Sequence, residues 1–149
     1  MKLSRTVEYA IQATLQLAQS KTGGPVPCSQ LAATSSMPER FLLQILRNLV
    51  THGILTSTRG VVGGYMLHRR PEAVSLLDLI EAIEGPLVGS VPSSPALSEQ
   101  TLAKLQDALN DVAAAERAEL SRITLADLLP PAAEREPAPA PSVLARKAQ

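Results

Sequence analysis

A mainly α fold is predicted: a winged helix-turn-helix domain with a two-stranded β wing, followed by one long C-terminal helix. Three observations predict it. Only 2 % of the 149 residues are aromatic and tryptophan is absent, so a core must be built from Leu, Ile, Val and Ala, which favours packed helices over a β-sandwich. Residues 36 to 67, SSMPERFLLQILRNLVTHGILTSTRGVVGGYML, spell an amphipathic helix, a short turn and a glycine-tipped hairpin. Leu102, Leu105, Leu109 and Val112, spaced three, four and three, make a narrow apolar seam on a long polar segment. The length suits one folding unit. Its divisions are read as a helix-turn-helix domain over 1–85, a loop over 86–97, a helix with its cap over 98–129, and a disordered Pro/Ala-rich tail over 130–149.

In chain order, Leu3 to Leu17 reads as a first helix with Ser4 as a possible cap, and Val7, Ala10, Ile11, Thr14, Leu15 and Ala18 form its buried stripe. KTGGPVP, residues 21–27, is a loop by its glycines and prolines. Ser29 is expected to cap a short helix from Gln30 to about Ala33, and Thr34 to Met37 to turn the chain. Ser36 is a plausible N-cap for the next helix, Pro38 suits its first turn, and Glu39 complements its positive end. On this helix Phe41, Leu42, Ile45, Leu49 and Val50 face the core, leaving Arg40, Gln44, Arg47 and Asn48 outside. Gly53 sits where a helix C-cap needs positive φ. Ile54 to Thr58 and Tyr65 to Leu67 are the two wing strands, with Arg59, Gly60, Gly63 and Gly64 at the tip.

Leu76, Leu77, Ile80 and Ile83 point inward from the segment SLLDLIEAIEG that follows. PLVGSVPSSPA, residues 86–96, is expected to be a mobile connection. The long helix starts at Ser98, and its seam of Leu102, Leu105, Leu109 and Val112 is so narrow that a second copy is its expected partner. Ile123 to Leu129 closes the fold as a short apolar cap.

Zero net charge conceals an asymmetry. Residues 1–70 carry eight basic and two acidic side chains, a net +6, while residues 71–149 carry six basic and twelve acidic, a net −6. A basic head points to a polyanion. Arg can fork onto guanine and Gln or Asn onto adenine, so Arg40, Gln44, Arg47 and Asn48 suit base edges in double-stranded DNA. Arg59 suits the narrow, negative minor groove. Lys2 and Arg5, with Arg69, Arg70 and the helix starts at Ser29 and Ser36, are candidates for phosphate contacts. No apolar run is long enough to cross a bilayer and no signal-peptide core is present, so a cytoplasmic protein without membrane contact is expected. The sole cysteine, Cys28, leaves no Cys/His cluster for a metal; it is read as a small packed residue or a possible redox thiol. No Ser/His/Asp or Cys/His set, phosphate loop or carboxylate pair suggests an enzyme.

Three stretches, MKLSRTVEYAIQATLQLA, PERFLLQILRNLVTHGILTSTRGVVGGYML and SLLDLIEAIEGP, resemble the Rrf2-type bacterial transcription regulators, and the resemblance covers roughly residues 1–87. It implies a homodimeric regulator, acting as a repressor or activator, whose long helices cross at the dimer interface. It also implies Arg59 in the minor groove and Met37, Pro38, Glu39 and the residues through Asn48 at the major groove, with Gly60, Gly63, Gly64 and Tyr65 shaping the wing. Many such regulators sense through an iron-sulfur cluster held by three cysteines between the EGP helix and the long helix. Here Leu87 to Gln106 contains neither Cys nor His, so no cofactor is expected, and Glu8, which stands where some relatives have an acidic ligand, is left to a helix-surface contact. Leu43 stands where several relatives have an acidic residue, so their operator preference does not carry over. The expected function is a sequence-specific DNA-binding regulator acting as a homodimeric repressor, with a small-molecule or protein effector near residues 86–96. The alternative is a winged-helix interaction module that regulates a partner enzyme and would not need Arg40, Arg47 and Arg59 on one side.

Overall fold

Arg5–Gln19 forms the first helix, α1, in a computed structural model that describes residues 2–20, 23–35, 37–93 and 95–131. It starts where Ser4 accepts a hydrogen bond from the Val7 N–H, and it buries Val7, Ala10, Ala13, Thr14 and Leu17. Thr14, polar yet fully buried, donates its hydroxyl proton to the Ala10 and Ile11 carbonyls (both 2.9 Å), so no polar group is orphaned there. Ile11, Leu15 and Ala18, expected inside, are only half-buried at the edge of the core.

The second helix, α2, spans Cys28–Ser35, and the third, α3, spans Glu39–Thr51. Both capping expectations need correction. Pro27, not Ser29, offers the carbonyl that accepts from the Gln30 and Leu31 N–H groups (3.1 and 3.2 Å), so Ser29 lies inside the first turn of α2. Pro38 does the same for Phe41 and Leu42 (both 3.0 Å) without any side-chain cap; Ser36 lies outside the described residues. A proline fits here because its φ of −59° leads into a helix and its absent N–H costs nothing. At the far end the positive φ of Gly53, 66°, lets the chain leave α3 in a conformation strained for any other residue.

Leu42, Ile45, Leu46 and Leu49 of α3 are buried to within about a hundredth of their surface, and each stabilises the fold by roughly 1.5–3 kcal/mol. Phe41 departs from the expectation that it faces the core. It is 43 % exposed, and its ring meets Tyr9 of α1 edge-on at 5.9 Å between centroids.

Strands β1 (Leu55–Thr58) and β2 (Gly64–Leu67) pair antiparallel with Leu55 opposite Leu67 and Thr58 opposite Gly64. An additional bridge, unforeseen from the sequence, joins Val26 to Tyr65 through two 2.9 Å bonds and ties the loop before α2 to the wing.

After a 3-10 turn at Pro71–Ala73, helix α4 runs over Leu76–Glu84 and buries Leu79, Ile80 and Ala82, while Leu76, Leu77 and Ile83 remain partly buried. The long helix α5, Glu99–Arg122, begins at the expected Ser98 cap, and the short α6 covers Leu125–Leu128. Two capping boxes, Ser75 with Asp78 and Thr124 with Asp127, stand side by side. Reciprocal bonds from Leu76 N–H to the Ile123 carbonyl and from Leu125 N–H to the Val74 carbonyl, 2.8 Å each, join the two helix starts.

The mobile connection expected over residues 86–96 also needs correction. Gly89 and Val91 are hydrogen-bonded to Gln106, so this part of the segment is fastened along α5. Ser94 and the tail from residue 132 onward lie outside the described residues. Among the described residues no helix is long and apolar enough to cross a membrane.

Candidate nucleic-acid interface

Arg40, Gln44 and Arg47 are exposed along one side of α3 and Asn48 is half-exposed beside them, as helical spacing requires once Leu42, Ile45, Leu46 and Leu49 are turned inward. Gln44 donates to the Asn48 amide oxygen (3.2 Å), which orients both amides on that surface. Arg40, Arg47 and Arg59 enter no ion pair among the described residues, and all three are exposed. Two such cations on α3 and a third at the wing turn favour an anion.

The wing is anchored next to this helix. Cys28 on α2, Glu39 and Arg47 on α3, and Tyr65 on β2 are close enough to influence one another electrostatically. The Cys28 thiol donates to the Glu39 carbonyl at 3.8 Å. Burial, and then the Glu39 carboxylate, push the Cys28 thiol above its ordinary pKa. Burial likewise pushes up the Tyr65 phenol, the Cys28 thiol adds to this, and Arg47 opposes it.

Arg59 is exposed at the turn, followed by Gly60 and by Val61 and Val62, which project into solvent. The tip glycines are explained by the chain's own packing. A Cβ on Gly63 would fall on the Thr58 carbonyl, and one on Gly64 would fall on the Val26 carbonyl. Gly64 therefore allows the Val26 bridge, so approach to a ligand is not needed to account for it.

Other expected site residues divide plainly. Lys2, Arg5, Ser29, Pro38 and Glu39 are exposed, and Lys2 and Arg5 stand just before Tyr9, whose ring meets α3. Met37 is 4 % exposed and belongs to the core, so it supports the turn between α2 and α3 and cannot itself be presented at a groove. Arg69 is turned back into the protein, donating to the Ala73 carbonyl (3.2 Å) and standing 3.5 Å from Asp78, which removes it from the phosphate candidates. On α5, Leu105, Leu109 and Val112 are 41 %, 38 % and 62 % exposed, an apolar row that the single chain leaves uncovered, and Leu102 is half-buried beside them.

No group of three His, Cys, Asp or Glu side chains converges as a metal centre would need among the described residues, and the chain has one cysteine. These residues do not fit an iron-sulfur cluster.

Comparison with known proteins bears on the family and the fold. The Rrf2 family, described as an iron-dependent transcriptional regulator, matches residues 3–131. A Mycobacterium tuberculosis protein carrying the name of an HTH-type transcriptional regulator is 36 % identical over 135 residues, covering 86 % of this chain and 81 % of its own. The structure of CymR, the global cysteine regulator of Bacillus subtilis, superposes with a TM-score of 0.67 at 29 % identity, covering 86 % of this chain and 95 % of that one. IscR of T. potens superposes with a TM-score of 0.63 at 30 % identity over 86 % and 85 % of the two chains.

Proposed function

Because the chain belongs to the Rrf2 family of DNA-binding helix-turn-helix transcriptional regulators, a family of regulators and not of enzymes, we propose that it acts as a homodimeric repressor without an iron-sulfur cluster. In this reading α3 enters the major groove and presents Arg40, Gln44, Arg47 and Asn48 to base edges, while Arg59 reaches the flanking minor groove. Lys2, Arg5 and the exposed residues at the starts of α2 and α3 contact phosphates. The exposed row on α5 receives the same row of a second copy, so the operator is an approximate palindrome. Occupation of such a site upstream of a gene blocks transcription.

One observation carries this reading: the exposed face of α3, with two arginines in no ion pair among the described residues and the Gln44–Asn48 amide pair, precedes a wing whose turn displays a further exposed arginine. Fluorescence anisotropy with DNA from the protein's own upstream region, at several salt concentrations, tests it. Specific, salt-dependent binding is expected, and Arg59→Ala should weaken it by about 1–3 kcal/mol. Equal binding by the variant would remove the wing from the interface.

A further inference from the structure

Residues 87–91 run back along α5 as a strap, and two polar clasps hold them there. At the first, the Gln106 amide is used in both directions: Nε2 donates to the Gly89 carbonyl (2.6 Å) and Oε1 accepts from the Val91 N–H (3.2 Å). Asn110, one turn further on, takes the other Nε2 proton at 2.9 Å and so sets which way the amide points. Gly89 lies so close to α5 that a Cβ there would stand 2.5 Å from the Leu109 carbonyl. At the second clasp, the Glu81 carboxylate of α4 pairs with Arg117 of α5 and accepts from the Leu87 N–H (3.0 Å). The Leu87 side chain packs against the cluster of Val7, Ile80 and Leu120.

Gln106 and Arg117 are about three helical turns apart. One clasp would leave α5 free to pivot, whereas two clasps so far apart fix its direction relative to α4. Since α4 packs on α1 and α3, fixing α5 fixes how the α3 surface is carried. The apolar seam accounts for none of this, because the clasps are polar and lie on the side of α5 that faces the strap.

We propose that Gln106 and the Glu81–Arg117 pair are positioning residues that set the angle between the DNA-binding head and α5, and thereby the half-site separation the dimer accepts. The inference rests on the homodimer reading above. Rigid positioning of this kind converts a small change at the strap into a displacement of the heads, because the error grows with distance from the clasp.

The test compares the full-length parent with Gln106→Leu, which keeps the side chain's bulk and removes both strap bonds, and with Gly89→Ala, which lifts the strap from α5. In DNA-free protein, spin labels at Glu72→Cys in a Cys28→Ser background report the distance between the two heads. In parallel, the unlabelled proteins are titrated with palindromes whose half-sites are moved apart one base pair at a time. The parent should show a narrow distance distribution and a preference of about tenfold for one spacing. Both variants should broaden the distribution and lower that preference to about twofold to threefold, while affinity for a single half-site and the dimer content stay unchanged. Gln106→Glu, which keeps the acceptor for Val91, should restore part of the preference. Variants with the parent's width and spacing preference would overturn the positioning role and leave the dimer reading intact. Absence of dipolar coupling in the parent would overturn the dimer reading, and this inference with it.

Discussion

The only thiol of the chain, Cys28, sits at the root of the wing among Glu39, Arg47 and Tyr65, and its surroundings suppress the thiolate. Burial disfavours the charge, and the neighbouring carboxylate disfavours it further. Alkylation by iodoacetamide at pH 8 should therefore run slower than for the same thiol in the denatured chain. A rate equal to the denatured one would show the cluster to be open. Along α3 the roles of individual residues follow from helical period, since Arg40, Gln44 and Arg47 fall outside once the leucines are inside. Phe41 and Met37 depart from the pattern that local spacing predicts because each sits where the helix meets its neighbours. The ring of Tyr9 holds Phe41 at the surface edge, and the turn between α2 and α3 draws Met37 inward. Neither neighbour is visible from local spacing.

Between elements, hydrogen bonds at helix starts join α4 to α6. The capping boxes at Ser75 and Thr124 follow a Ser-x-x-Asp and a Thr-x-x-Asp spelling that a search for such spellings would find, although their adjacency depends on the fold. Asp127 accepts from the Thr124 hydroxyl (2.7 Å) and backbone N–H (2.8 Å), which hold its carboxyl below the usual aspartate range. A carboxylate whose pKa is lower folded than unfolded contributes stability above the unfolded value near 4, and that contribution disappears as pH falls through the folded value. The melting temperature of the parent should accordingly exceed that of Asp127→Asn near neutral pH, and the gap should narrow as pH falls below about 4. A gap that persists in acid would mean that the charge is irrelevant to the cap.

Over the whole molecule, the proposed function divides between the basic head, which would meet DNA, and the acidic remainder, which carries the apolar row through which two copies would join. Leu109→Glu places a charge in the middle of that row. Since Leu109 is 38 % exposed in the single chain, the fold should survive the change. Analytical ultracentrifugation should then find a monomer, and operator affinity should fall on the order of a hundredfold, because two heads no longer bind as one. A variant that remains dimeric would move the interface to another surface.

The sequence by itself determined the fold class, the order of the elements and the outward face of α3. These depend on local terms: the 3.6-residue period, the prolines before two helices, Gly53, and the β-branched run before the wing tip. Tertiary structure alone decided the Val26–Tyr65 bridge that fixes the wing and the strap clasped by Gln106. The physical reason is the same in each case. A hydrogen bond or close approach between residues 15 to 39 positions apart contributes only after the chain between them has been ordered, so no local pattern announces it.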